Sequence, residues 1–160
     1  MELSSLSARF SVRRLEPADV DILYALSCGN RIFYRYHPPF VTKESILDDM
    51  TALPPGKTAE DKYYIGFFAQ DTLIAVMDLI TGYPTEKTAF IGLFMTDTRY
   101  QNKGIGSAII TEAAAYLRTQ HFEKIRLGVD KGNPQSYGFW QKNGFVPVRE
   151  DTYILMERML

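Results

Sequence analysis

The sequence predicts an α/β (α+β) fold, a mixed and mostly antiparallel sheet of six to seven strands flanked by four helices. Three observations lead there. Two extended runs, Tyr63 to Ala69 and Leu73 to Ile80, are separated by Gln70-Asp71, which reads as an antiparallel pair around a tight turn. The run Ala89 to Thr96 is almost continuously apolar, as in a strand covered on both faces. From Gly104 to Gln120 the period becomes helical, with Ile105, Ile109, Ala113 and Leu117 on one stripe.

The other elements follow in chain order. Phe10, Val12 and Leu15 mark a first short strand. Pro17 presets φ at a helix start, Val20, Leu23 and Tyr24 share a face through Ser27, and Gly29-Asn30 reads as the stop. The segment Arg31 to Val41 is aromatic and proline-rich and reads as a connection. Thr42 is placed to cap a second helix carrying Ile46, Leu47, Met50 and Leu53, which Pro54-Pro55-Gly56 ends. Gly56 to Lys62 is polar and reads as mobile. After the long helix, Ile125, Leu127 and Val129 alternate as a strand. Asn133 followed by Pro134 joins a cap to a residue suited to the first helical position, and Asn143-Gly144 should end that helix. The tail from Phe145 to Met159 is extended, long enough for two strands. No repeat, low-complexity tract or linker interrupts the chain, so residues 1–160 read as one domain.

Composition narrows the function. Lys and Arg total 18 against 19 acidic residues, a net charge of -1, which gives no long-range attraction for nucleic acid or an anionic membrane. The single cysteine, Cys28, excludes an internal disulfide. The first ten residues lack a basic-then-apolar leader, and no run approaches the roughly 18 apolar residues of a spanning helix. The expected compartment is the cytoplasm. His37 and His121 stand apart without Cys or carboxylate clusters, so no metal site is expected.

Two stretches carry chemistry. In Gln101-Asn102-Lys103-Gly104-Ile105-Gly106, the two residues without β-carbons let the backbone approach a ligand at the mouth of a helix. Unpaired N–H groups and the positive end of the helix dipole there suit a pyrophosphate, and Lys103 can add a charge. The same spacing also serves a plain strand-to-helix turn. A Rossmann or P-loop motif is absent, since neither a third Gly with its acidic partner nor Gly-Lys-Ser/Thr occurs. The second stretch, Asn133 to Phe145, carries Ser136, Tyr137, Phe139, Trp140, Lys142 and Gly144, and taken alone it reads as a capped helix with aromatic core residues.

Together the two stretches resemble the GCN5-related N-acetyltransferases (GNAT). Leu93 to Gly106 is similar to that family's acetyl-coenzyme A signature, Arg/Gln-x-x-Gly-x-Gly/Ala after the fourth strand. Asn133 to Phe145 is similar to its later motif, Asn-x-x-Ala/Ser-x-x-aromatic pair-x-Lys-x-Gly-Phe. The resemblance covers Tyr63 to Phe145 and extends to earlier residues only by element order.

The resemblance implies a GNAT-type sheet whose strands 4 and 5 splay around acetyl-coenzyme A, the co-substrate, without a metal. It places the pantetheine arm on backbone groups of Phe94, Met95 and Thr96. The pyrophosphate falls on the N–H groups of Asn102, Lys103, Gly104, Ile105, Gly106 and Ser107 behind Gln101, with Asn133 on the other side of the arm. A neutral amine of a small molecule or peptide would attack the thioester, and a fourth-strand N–H would stabilise the oxyanion. Where many relatives carry a Tyr acid this chain has Trp140, whose indole is no acid at neutral pH. Tyr137, one turn earlier, is the candidate in its place, with a packed core Tyr as the competing reading. Gly128 stands where some relatives place a Glu, so no base is evident; Asp78, Asp97 and Asp130 are candidates only by lying near strand ends, and solvated surface carboxylates are the favoured reading for each. In relatives the first two helices and their connection cover the acceptor. Tyr34, Tyr36 and His37 there can contact an amine-bearing substrate or pack the loop onto the sheet. Members are often dimers, and no feature here requires a homodimer. The alternative function is a coenzyme A-binding sensor or partner-binding module without turnover. A nucleic-acid module has no basic patch with interleaved aromatics to support it.

Overall fold

In the computed structural model, which describes residues 1–160, seven strands hydrogen-bond into one sheet. They are β1 (Ser11–Arg14), β2 (Lys62–Ala69), β3 (Thr72–Thr81), β4 (Thr88–Thr96), β5 (Lys124–Asp130), β6 (Val146–Glu150) and β7 (Tyr153–Met159). Across the sheet they run β1-β2-β3-β4-β5-β7-β6, and only the β4–β5 pair is parallel. The mixed, mostly antiparallel sheet expected from the sequence is therefore present, and the tail supplies two strands.

Five α-helices flank the sheet: α1 (Val20–Gly29), α2 (Arg31–Tyr36), α3 (Lys43–Thr51), α4 (Ile105–Thr119) and α5 (Pro134–Lys142). Four were expected. The extra one is α2, inside the aromatic segment read as a connection. Aromatic residues are only middling helix formers, so local preference does not announce it. It stops where it must, because Pro38 disfavours helical backbone at His37. Thr42 and Ser45 cap α3 reciprocally, each side chain accepting the other's backbone N–H. The polar stretch before β2 is also more ordered than expected: Ala59–Asp61 forms a 3-10 turn, and Lys62 opens β2 buried.

Alternation along the central strands sorts the core into two layers, one on each face of the sheet. Ile65, Phe67, Met77 and Leu79 meet Ile109, Ile110, Ala113 and Leu117 of α4. Tyr64, Phe68 and Val76 meet Leu23 and Leu26 of α1 and Ile46 of α3.

One irregularity shapes the site. Leu79 pairs with Ile91 but Asp78 pairs with Leu93, so Gly92 is an extra residue, a bulge in β4. The bulge reverses which face later side chains take. Ile91 and Phe94 both join the α4 side, while Leu93 and Met95 go to the other. It also bends β4 away from β5, whose pairing runs from Thr88↔Lys124 to Ile91↔Leu127 and then ends. Beyond that point the sheet is open, a V between β4 and β5, as expected from the splay of strands 4 and 5.

Candidate active site

A cleft of about 460 Å³ occupies the open V, between the end of β4, the start of α4 and one side of α5. The chain approaches it from β4 through a tight turn at Asp97, whose carboxylate accepts from the Arg99 backbone N–H at 2.8 Å. That carboxyl is held below its ordinary range chiefly by the Arg99 guanidinium beside it, so Asp97 is buried and paired rather than solvated as expected. Gly104 is the N-cap of α4 with φ +76°, left-handed backbone that costs little only without a β-carbon. Asn102, two residues earlier, is also left-handed at φ +58°. No side chain caps α4, and its first helical bond is Ala108 N–H to the Gly104 carbonyl. The N–H groups of Ile105, Gly106 and Ser107 therefore carry the positive end of a 15-residue helix into the cleft.

The opposite wall is α5. Asn133 is buried and caps it, its side-chain oxygen accepting from Ser136 N–H at 3.1 Å, with Pro134 at the first helical position. This fixes Ser136, Phe139 and Trp140 along the cleft, with Lys142 at its edge. Phe94 stacks on Phe139 at 5.9 Å between ring centroids and tilts against Trp140 at the same distance. The floor is thus an aromatic layer shared by β4 and α5, which follows from the bulge turning Phe94 inward.

A polar hub holds the β4 side open. The Asn30 side chain is buried and donates to the carbonyls of Leu26 at 3.0 Å and Thr96 at 3.1 Å. Gln101 donates to the same Thr96 carbonyl and to the Asn30 side-chain oxygen, both at 2.9 Å. Side chains thereby satisfy backbone at a place where no fifth strand is alongside.

Of the expected coenzyme residues, Phe94, Met95, Thr96, Gln101, Asn102, Gly104, Ile105, Gly106, Ser107 and Asn133 line the cleft. Lys103 does not line it; its ammonium lies 5.9 Å from the Tyr100 ring centroid. Tyr137 packs against the main core and borders neither the cleft nor its narrow extension. Tyr34 packs edge-on to Phe33 at 4.9 Å within the second core, and burial pushes its phenol pKa up. Tyr36 lies near Gly132. Asn30 and Phe33 also line the cleft and were missed by sequence reasoning, because both belong to the unrecognised α2 region. Asp78 was read as solvated but is buried. Its Oδ2 accepts from Lys62 Nζ at 2.8 Å and its Oδ1 has no partner. Burial pushes its pKa up, and Lys62 opposes that.

The cleft narrows into a cavity of about 50 Å³ at the apex of the V, lined by Ile91, Gly92, Leu93 and Phe94 of β4 and Leu127, Gly128 and Asp130 of β5. Phe33, Ser136 and Trp140 border both spaces. One end of the site is thus an anion-ready helix mouth, and the other is a narrow cavity between the parted strands.

Comparison with known proteins agrees with this geometry. Residues 30–145 match the model of the acetyltransferase (GNAT) family. Over 104 residues the chain is 27% identical to the spermidine N(1)-acetyltransferase of Thermoplasma acidophilum, a match covering 65% of this chain and 61% of that protein. The fold is similar to the crystal structure of the PaiA N-acetyltransferase of Thermoplasma acidophilum in complex with coenzyme A, at 21% identity and a TM-score of 0.72, covering 94% of this chain and 99% of that one. It is similar as well to an acetyltransferase from Thermus thermophilus, at 20% identity and a TM-score of 0.81 over the whole of both chains. With the matched residues spanning both walls of the cleft, the chain belongs to the acetyltransferase (GNAT) family.

Proposed function

We propose that the chain is an acetyl-coenzyme A-dependent N-acetyltransferase acting on a primary amine of a small molecule or peptide. The observation that carries this reading is the uncapped, left-handed entry to α4 opening on a cleft that leads to the apex of a parted sheet. Free N–H groups at Ile105 to Ser107 fit a diphosphate, with Lys142 at the edge of the same cleft and Lys103 nearby on the loop. The β4 end from Phe94 to Thr96 faces the cleft where an amide-bearing arm would lie, opposite Asn133 and α5. Its thioester end then falls toward Phe94 and Trp140, beside the narrow apex.

Chemically, the thioester arrives activated, so the protein's task is to position an amine and stabilise the oxyanion with a β4 N–H. Tyr137 is given no role in this scheme: it packs against the main core and does not line the cleft. The single sheet, running from Ser11 to Met159, supports reading residues 1–160 as one domain. The spermidine acetyltransferase relative makes polyamines the first acceptors to try, beside amino acids and peptides with free N-termini.

Calorimetric titration with coenzyme A and thiol release from acetyl-coenzyme A over that amine panel test the reading. Saturable binding and amine-dependent thiol release are expected. Binding without release from any amine would leave a coenzyme-binding module, and no binding would overturn the reading entirely.

A further inference from the structure

The coenzyme cleft uses one side of the opened sheet, and the other side carries a residue pair to which the proposed scheme gives no chemical role. Along β5, Ile125, Leu127 and Val129 point into the α4 core, so alternation turns Gly128 and Asp130 to the opposite face. There His37, the residue that ends α2, brings Nδ1 to 3.0 Å from Oδ1 and 3.2 Å from Oδ2 of Asp130. Its ring lies 5.3 Å from Phe33 and, nearly parallel, 6.4 Å from Tyr153. The sequence placed these two residues nowhere near each other; they are 93 positions apart.

Their location matters more than their contact. Asp130 and Phe33 line the apex cavity, and Phe33, Ser136 and Trp140 connect that cavity to the coenzyme cleft. A thioester held against Phe94 and Trp140 would therefore have Asp130 across the apex, and His37, which lines neither space, is joined to that apex through its contact with Asp130. α2 straddles the gap: Asn30 ties its start to β4, and His37 ties its end to β5. An ionised carboxylate only accepts hydrogen bonds, so in the neutral imidazole the proton sits on Nδ1 and Nε2 keeps its lone pair. The His37 side chain is 44% exposed and that of Asp130 only 16%, so the ring is open to an incoming molecule while its anchor is not.

We propose that His37 is the general base of acetyl transfer, taking the proton of the acceptor ammonium at the open face of the V, with Asp130 as its positioning residue. The proposal rests on the acetyl-transfer reading above. The ammonium gives one proton to Nε2, and the freed nitrogen lone pair forms the C–N bond as the carbonyl π electrons move onto oxygen. Collapse of that intermediate breaks the C–S bond. The departing thiolate takes the second nitrogen proton, leaving amide and coenzyme A thiol, and the imidazolium returns its proton to water. The groups that touch the ring are Asp130 from β5, Phe33 from α2 and Tyr153 from β7; Asp49 of α3, whose carboxyl burial pushes up, lies close enough for the Lys62 and His37 charges to oppose that. The Asp130 carboxylate at the apex makes that side of the site attractive to a cationic amine.

The test follows thiol release with spermidine, or with whichever panel amine the wild type turns over, from about pH 6 to about pH 9, the range in which histidine commonly titrates and above it. Wild type is compared with His37→Ala, His37→Asn and Asp130→Asn. The asparagine at position 37 keeps an amide donor for Asp130, so it preserves the tie between α2 and β5 but cannot take a proton. Both His37 variants should lose roughly a hundredfold in kcat/KM, as expected for a lost general base, and the acid limb of the pH profile should vanish. Coenzyme A affinity should stay within about twofold, a change small against any lost binding contact. Added imidazole should restore part of the His37→Ala rate, and Asp130→Asn should shift the limb. Wild-type rates in His37→Asn, or an unaltered acid limb in His37→Ala, would overturn the assignment while leaving acetyl transfer standing. A wild type that turns over no amine would bring down both.

Discussion

Gly104 shows how one residue can set the chemistry of the whole cleft. Its φ of +76° frees the first N–H groups of α4, and a β-carbon built there meets nothing within 4 Å, so the space beside it is open to a ligand. Gly104→Glu should therefore fold, at a cost of about 1–2 kcal/mol for left-handed backbone, and bind no coenzyme A, because its carboxylate enters the phosphate position. Titration checks the binding and urea denaturation the fold; unchanged affinity would mean that the loop is only a turn. Lys62 makes the complementary case for stability. It is 4% exposed and is the hydrogen-bonded partner of Asp78, whose second oxygen already lacks one. Lys62→Met leaves a buried carboxylate uncompensated and should cost about 3–5 kcal/mol, whereas Lys62→Met with Asp78→Leu should recover most of it. Urea midpoints of the two variants decide this. A single variant as stable as wild type would show that the pair is dispensable.

At the scale of elements, α2 matters most for the opening of the V. Asn30, at its start, offers two donors and one acceptor, all engaged with the end of α1, β4 and the coenzyme loop. Asn30→Ala should lower stability by about 1–3 kcal/mol, the range for leaving buried polar partners unmade, and weaken coenzyme A binding as Gln101 loses its anchor. Thermal melts with and without coenzyme A check both effects, and an unchanged ligand-induced shift would free Asn30 of any role in the cleft. The same region shows where sequence reading runs out. α4 and α5 were legible because caps, Pro134 and a helical period are local signals within a few residues. α2 was not legible, because six residues of mixed aromatic and basic character hold a helix through distant anchors rather than propensity. The β4 bulge did leave a trace: a glycine at position 92 inside an apolar run is a recognised sign of one. Lys62 with Asp78 and His37 with Asp130 left none, since only the folded topology brings them together. Ten of the residues expected to contact coenzyme line the cleft because the motif that places them is local, while the acceptor side depends on long-range contacts.

The molecule as a whole is two cores either side of a sheet that is parted at one end, and, Lys62 with Asp78 apart, the ion pairs considered next lie around that frame. Their response to acid follows from sign. Asp19 is held below its ordinary range chiefly by the Arg13 guanidinium, and Asp97 chiefly by Arg99. Burial raises Glu157, but hydrogen bonds from Arg126 and Lys124 outweigh it and its pKa is lowered too. For each, the folded value lies below the unfolded one, so its stabilisation is complete above the ordinary carboxylate range, near pH 4, and drains as pH falls through the folded value. Asp78 runs the other way: its raised folded value favours the native state when protonated, which partly offsets the loss. Glu2 and Asp61 are lowered as well and Asp49, chiefly by burial, is raised, so five carboxylates against two predict a net loss of stability on acidification below about pH 4. Because Arg13 is half exposed, its pair with Asp19 is worth about 0.5–1 kcal/mol at most, and the more exposed Arg99 adds less to Asp97. The variant Asp19→Asn with Asp97→Asn should then be less stable than wild type at pH 7, the Asp19 change accounting for about 0.5–1 kcal/mol, and the gap should narrow as pH falls below the ordinary carboxylate range, near pH 4, where the wild-type carboxylates themselves begin to lose their charge. Urea midpoints of both proteins across that range measure it, and a gap that persists unchanged in acid would place the lost stability in the caps these side chains make rather than in their charge.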